Sequence, residues 1–185
     1  MRGRIALIAF GLAFIGAIVA LMAWAQARSG GAPGQFAIKA RLGEVRVSPE
    51  PAPDFTLELF QDGTLTLSSL RGSVVMIDFW ASWCPPCRQE AALLEAVYRE
   101  YRPKGVEFVG VDVWDDPQEA RAFIRKFGIT YPNGIDGSGK IAIDYGVTGI
   151  PEKMFVDREG TLVQRFVGPM NESTLKEVLD GLLSQ

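Results

Sequence analysis

The sequence predicts an α/β domain in which a mixed β-sheet, covered on both faces, is flanked by helices. Three observations carry this reading. The runs Ser73–Trp80 and Val106–Val113 are apolar at nearly every position, as strands are when both sheet faces are buried. Stretches with helical periodicity follow each run. Two short alternating segments, Phe55–Leu59 and Thr64–Leu67, precede them across Gln61-Asp62-Gly63 and read as a β-hairpin.

Ahead of that domain, Ile5–Ala25 is uncharged and almost wholly apolar. As a helix its 21 residues, at about 1.5 Å each, reach across a hydrocarbon core of about 30 Å. Residues 1–27 therefore read as a transmembrane anchor. The rival reading is a cleaved secretory signal, with Arg2 and Arg4 in front and small residues at Ala25-Gln26-Ala27, although signal cores usually run only about 7–15 residues. Either reading exports the rest, and a retained anchor gives a single-pass protein in the cell membrane with its domain outside the cytoplasm. Positive charge does not set the orientation, because Arg28, Lys39 and Arg41 offset Arg2 and Arg4. The short leading tail does. Residues 28–53, with Ser29-Gly30-Gly31-Ala32-Pro33-Gly34 and then Pro49, Pro51 and Pro53, read as a linker. Within it, Phe36–Val47 has an ambiguous periodicity, compatible with a strand against the domain.

The globular part, residues 54–185, begins with the hairpin. A turn at Ser68–Gly72 leads into the first buried strand. The next helix runs from about Cys84 to Tyr101, with an inward stripe of Ala91, Leu94, Tyr98 and Tyr101 and an i,i+4 pair, Glu95 and Arg99, on another face. After the second buried strand, Asp116-Pro117 opens a helix to about Phe127, since proline suits a first helical turn. Tyr131–Ile135 reads as a short strand and Lys140–Tyr145 as a short helix. Lys153–Val156 and Thr161–Val167 read as strands joined by a turn, and Asn171 as the cap of a last helix, Glu172–Leu183.

The chemistry centres on sulfur. The only two cysteines, Cys84 and Cys87, form a C-x-x-C where a buried strand gives way to a helix. Structural zinc would need further Cys or His ligands, and the chain has no histidine. The same absence removes Cys-His nucleophilic chemistry and histidine acid–base catalysis. A purely structural disulfide is weak, since so short a loop constrains the unfolded chain very little. What remains is a thiol redox couple, which requires no metal and no cofactor. A net charge of −3, with no lysine and arginine run, offers no surface for nucleic acid.

The run Asp78-Phe79-Trp80-Ala81-Ser82-Trp83-Cys84-Pro85-Pro86-Cys87 resembles a thioredoxin active site. Gly149-Ile150-Pro151 resembles the loop whose cis-proline faces that dithiol, and Val167-Gly168 the glycine lining its substrate groove. The resemblance implies a thioredoxin-like fold over residues 54–185, here with an N-terminal hairpin and a central insertion between Asp112 and Pro151. The lead-in Pro51-Ala52-Pro53-Asp54-Phe55-Thr56-Leu57, the N-terminal apolar segment and Glu90 after the dithiol are similar to the membrane-anchored TlpA, ResA and CcmG proteins. That subgroup implies extracytoplasmic disulfide reduction, often of apocytochrome c, with electrons from a membrane thiol carrier. Pro151-Glu152 resembles its cytochrome-maturation branch. Two positions depart from these patterns: Asp78 matches thioredoxin where many anchored relatives carry asparagine, and Gly110 stands where thioredoxin has the lysine that accompanies that aspartate.

Only a thiolate attacks a disulfide, so the first cysteine must ionise readily and be exposed. Cys84 at the helix start is the expected nucleophile, with Cys87, one turn on, resolving the mixed disulfide. If Cys84 is the N-cap, Pro85 and Pro86 remove two helical N–H groups and leave the Cys87 amide as its main local donor. The plainer role for Pro86 is to stiffen the first turn. Asp78, in a strand otherwise buried, is either the proton acceptor for Cys87 or a hydrogen-bonded structural carboxyl. Glu90 corresponds to an active-site acid of the subgroup, against the ordinary reading of a solvated helix charge. Glu152 either orients substrate or faces water. The family match implies a cis Ile150–Pro151 bond, with the Ile150 backbone free to pair with an extended substrate segment. Trp80, Trp83 and Trp114 border this surface or serve as packing. The competing functions are a disulfide-forming oxidant, a peroxiredoxin-like peroxidase sharing the Pro-Asp-Phe lead-in, a thiol-based copper carrier, and a binding module that keeps only the fold.

Overall fold

The structure is a computed structural model that describes residues 11, 13, 15–21, 24, 42–45 and 47–185. It divides into two units, residues 1–40 and 41–185. In the first, the described residues are helical and exposed; most of the expected anchor, Ile5–Ala25, lies outside the described residues. Among the described residues no helix is long and apolar enough to cross a membrane.

The second unit is one mixed sheet between helices. In chain order it comprises β1 (Gly43–Val45), β2 (Glu50–Pro51), β3 (Thr56–Leu59), β4 (Thr64–Thr66), β5 (Val74–Trp80), α1 (Pro85–Tyr101), β6 (Val106–Asp112), α2 (Pro117–Phe127), β7 (Asn133–Ile135), α3 (Lys140–Asp144), β8 (Glu152–Val156), β9 (Thr161–Val167) and α4 (Glu172–Leu183). The spatial order is β1-β9-β8-β5-β6-β7-β3-β4, with β2 also on β9. β5 and β6 run parallel and β8 pairs antiparallel with β5. The central insertion supplies β7, which joins β6 in parallel and β3 antiparallel, so the hairpin continues the sheet. The expected turn at Ser68–Gly72 is a short 3-10 helix, Leu67–Leu70.

The stretch read as a linker contributes two strands. β1 lies within Phe36–Val47, and both β1 and β2 pair antiparallel with β9. Their partners are more than a hundred positions away, so no local periodicity announces them.

Strand parity places the site. Along β5, Val75, Ile77 and Phe79 join one apolar cluster, with Val109, Val111, Met154 and Tyr145. Val74, Met76 and Trp80 join the other, with Leu94, Tyr98, Phe123, Leu175 and both cysteines. Side chains alternate across a strand, so Asp78 faces the second cluster, beneath the cysteines. Asp78 is in register with Gly110 on β6 and Lys153 on β8, one row across the sheet.

Local signals fix the helices on these strands. Asp116 caps α2 by accepting from the Gln118 and Glu119 amides, and Gly128, at φ +64°, ends it; such a cap stabilises by about 1 kcal/mol. Asn171 caps α4 through the Thr174 amide. Gly110 has no room for a side chain: a Cβ there would overlap the Asn133 amide and lie 2.9 Å from Trp80 Nε1. Gly110→Ala should therefore lower the urea unfolding midpoint, by about 1–3 kcal/mol of overpacking; an unchanged midpoint would show that Asn133 and Trp80 yield freely.

Candidate active site

Cys84 is the N-cap of α1, with extended backbone at φ −79° and ψ 111°. It is disulfide-bonded to Cys87, with an S–S distance of 2.10 Å. The Cys87 N–H donates to Cys84 Sγ at 3.3 Å. Pro85 and Pro86 fill the first two helical positions and have no N–H to offer. The expected exposure of Cys84 is not met: it is 2% exposed and Cys87 3%, because the joined sulfurs sit in the larger apolar cluster with Ala81, Ala91 and Trp80. Access is from the rim, where Trp83 is exposed and Pro86 half-buried.

The Ile150–Pro151 bond is cis. Ile150 packs against the cluster that contains both cysteines. The Gly168 N–H donates to the Pro151 carbonyl at 2.8 Å, tying the groove glycine, at φ +98°, to the proline loop. Glu152 does not face water. It is fully buried and ion-paired with Arg165. Burial pushes its carboxyl up from the ordinary range, and Arg165 pulls it back.

Beneath the dithiol lies a cluster of three buried charges. Lys153 is fully buried, with its ammonium 3.5 Å from Asp78 Oδ1 and hydrogen-bonded to Glu90 Oε1. Glu90 Oε2 also accepts the Met170 N–H at 2.9 Å. Glu90 is thus no solvated helix charge: at i+3 from Cys87 it sits on the inward face of α1 and is 4% exposed. Desolvation raises Asp78, opposed by Lys153. It raises Glu90 to about 7, again against Lys153. The Tyr131 hydroxyl, buried nearby, is pushed well up by burial and by these carboxylates.

Lys153 is the residue that sequence reasoning missed. The lysine absent at position 110 is supplied from the opposite neighbour of Asp78, on β8. A signal existed: a lysine two positions before Phe155 shares its face, and Phe155 is core. The tryptophans divide. Trp80 is packing, stacked on Phe123 at 4.5 Å between ring centroids. Trp83 and Trp114 are both more than half exposed, and the Trp83 indole N–H donates to the Trp114 carbonyl at 3.0 Å.

Comparison with known proteins agrees with this geometry. Residues 49–165 match the AhpC/TSA family. The chain is 32% identical over 134 residues to the thiol-disulfide oxidoreductase ResA of Bacillus thuringiensis, covering 72% of this chain and 75% of that one. It is 37% identical over 139 residues to the thiol:disulfide interchange protein DsbE of Allochromatium vinosum, covering 74% and 75%. Among solved structures, a thioredoxin-family thiol:disulfide interchange protein from Chlorobium tepidum superposes with a TM-score of 0.69 at 26% identity, over 75% of this chain and 99% of that one. A C-x-x-C at a helix start, a cis-proline loop beside it and a mixed sheet beneath, together with these matches, lead to one conclusion: the chain belongs to the AhpC/TSA family and is a thiol-disulfide oxidoreductase of thioredoxin-like fold, related to ResA and DsbE.

Proposed function

We propose that the protein works as a reductase of protein disulfides. The Cys84 thiolate attacks one sulfur of the substrate disulfide and expels the other as a thiolate. Cys87 then loses its proton and attacks Cys84 Sγ, releasing the second substrate thiol. Two electrons have moved to the substrate, and the protein is left with the Cys84–Cys87 bond. The observation that carries the reducing direction is the helix start: a thiolate at Cys84 has the Cys87 amide as its local donor, because Pro85 and Pro86 have none. A thiolate with few donors is less stabilised, and a less stable dithiol is the stronger reductant.

Glu90 and Asp78 are the proton acceptors for Cys87. Glu90, raised to about 7, accepts a proton near neutral pH better than an ordinary carboxylate would. Lys153 keeps negative charge tolerable in that buried pair. The extended substrate segment lies along Ile150, Pro151 and Gly168, with the Ile150 backbone as its pairing edge. Pro86 completes the rim on the helix side, and Glu152, held by Arg165, shapes the loop from beneath.

The substrate we assign is a cysteine pair of apocytochrome c. The electron donor we assign is a membrane thiol-disulfide carrier. Both rest on resemblance, of the lead-in around Asp54-Phe55 to the membrane-anchored TlpA, ResA and CcmG proteins and of Pro151-Glu152 to their cytochrome-maturation branch. The same resemblance, with the apolar stretch Ile5–Ala25, supports a membrane-held protein whose domain lies outside the cytoplasm.

The deciding experiment is the reduction potential of the Cys84–Cys87 couple. A value around −250 mV or lower is expected; one near −120 mV would make the protein an oxidant instead. Cys87→Ser should trap a mixed disulfide through Cys84, visible by mass, whereas Cys84→Ser should trap none. Pro86→Ala restores an N–H at the second helical position. It should lower the Cys84 pKa by on the order of one unit, the equivalent of a ~1.4 kcal/mol hydrogen bond, and make the couple more oxidising. Lys153→Met removes the cation that lowers both carboxyls, so their pKa values rise further and their charged forms become harder to bury. The loss of stability should be about 3–5 kcal/mol at pH 8 and clearly smaller at pH 5, where Glu90 holds its proton and the raised Asp78 carboxyl carries less charge. A loss equal at the two pH values would show that Lys153 contributes packing alone.

A further inference from the structure

Among the described residues, buried carboxyls come with partners, with one exception. Glu95 bonds Arg99 and Thr130, Asp136 accepts the Ala142 N–H, Glu152 pairs with Arg165, and Asp78 and Glu90 share Lys153. Asp112 is fully buried, and neither of its carboxyl oxygens receives a hydrogen bond among the described residues. It ends β6, in register with Trp80, the last residue of β5 before the loop Ala81-Ser82-Trp83 that presents Cys84.

The group beside Asp112 is another carboxyl, Asp115. Asp115 holds that loop: its carboxylate accepts the Ser82 N–H, the Ser82 hydroxyl at 2.9 Å and the Asp116 N–H at 2.8 Å. Two further bonds complete the grip, from the Trp83 indole to the Trp114 carbonyl and from Arg88 to the Ser82 carbonyl at 2.8 Å. Trp114 sits at φ +55°, a conformation that a bulky residue adopts only when its surroundings hold it there. Asp115 is supplied with three donors. Asp112 has no donor, and two adjoining carboxyls can bond each other only if one keeps its proton.

We propose that Asp112, as a neutral acid donating to Asp115, is a positioning residue that locks the Ser82–Trp83 loop and so sets the placement of Cys84, and that losing its proton releases the lock. Burial first, and the Asp115 charge second, raise the Asp112 carboxyl to about 8. In register with it are Trp80 from β5 and Ile135 from β7, and the Asp136 N–H donates to the Asp112 carbonyl at 2.8 Å; the Asp116 amide at the cap of α2 sits on the Asp115 carboxylate, and Arg88 from α1 on the Ser82 carbonyl. Of these, Asp115 is the charge that acts on it. Because the folded carboxyl binds its proton more tightly than the ordinary value of 3.8, this group lowers folded stability progressively as pH rises from about 4 through 8.

The test uses the full chain in its oxidised form, where no thiol titrates. Tryptophan emission followed from about pH 6 to about 9.5 should show a transition centred near 8 in the wild type, as Trp83 loses its held position, and none in Asp112→Asn, whose amide donates to Asp115 at every pH. In the reduced chain, alkylation of Cys84, corrected for thiolate fraction, should change at least twofold across the same pH in the wild type and stay level in Asp112→Asn. The same transition in both proteins overturns the proposal. If Asp112→Asn does not fold, Asp115→Asn serves: removing the neighbouring charge must move the midpoint to lower pH, and an unmoved midpoint overturns the proposal equally.

Discussion

A carboxylate in the middle of a strand with no water on either face is the constraint around which this domain is built. Asp78 occupies that position in β5, and an uncompensated charge there would cost several kcal/mol. The compensation comes from Lys153, one strand away and in register, which is also held by Glu90 from α1. One ammonium thus joins the sheet, the active-site helix and, through the Met170 amide on Glu90, the segment leading into α4. The same cluster that fixes these elements lies under the dithiol, so packing and proton chemistry rest on one set of atoms. Replacing it with apolar side chains would end the need for that compensation and would remove the carboxyls beneath the dithiol that burial has raised.

Much of the fold was legible because its signals are local. β5 and β6 read as strands from unbroken apolar runs, α1 from a stripe at helical spacing, and α2 from Asp116-Pro117 at its start. Asp78 drew attention for the same reason, a charge inside an apolar run. Lys153 carried an equal signal and was passed over, because it stood at the first position of an expected strand, Lys153–Val156, where a lysine is ordinary. β8 begins one residue earlier, at Glu152, and runs wholly buried. The buried state of Glu152 was hidden likewise, since its partner Arg165 lies on the neighbouring strand and pairing across strands leaves no mark on spacing.

Gly110 shows how an apparent defect becomes a requirement. Against the thioredoxin pattern it is a missing lysine. In the structure its volume is taken by Asn133 from the inserted strand β7 and by the Trp80 indole. The insertion and the glycine belong together, and with position 110 filled from outside, the cation for Asp78 can come only from the other side. The buried disulfide has a similar logic: the exposure expected of Cys84 described a reactive thiolate, while the joined sulfurs are apolar and pack as such.

The two small strands ahead of the domain have a consequence for how it behaves among its own copies. β9 is seven residues long, and without β1 and β2 one side of it would be a row of free N–H and C=O groups, a template for another chain. β1 and β2 lie along that side, and being only three and two residues long they offer little to pair with in turn. The segment that leads into the domain thereby works as a built-in guard against sheet-to-sheet association. A shortened chain starting after Pro53 would keep the dithiol and its buried charges, and would lose the feature that keeps one molecule from adding its sheet to the next.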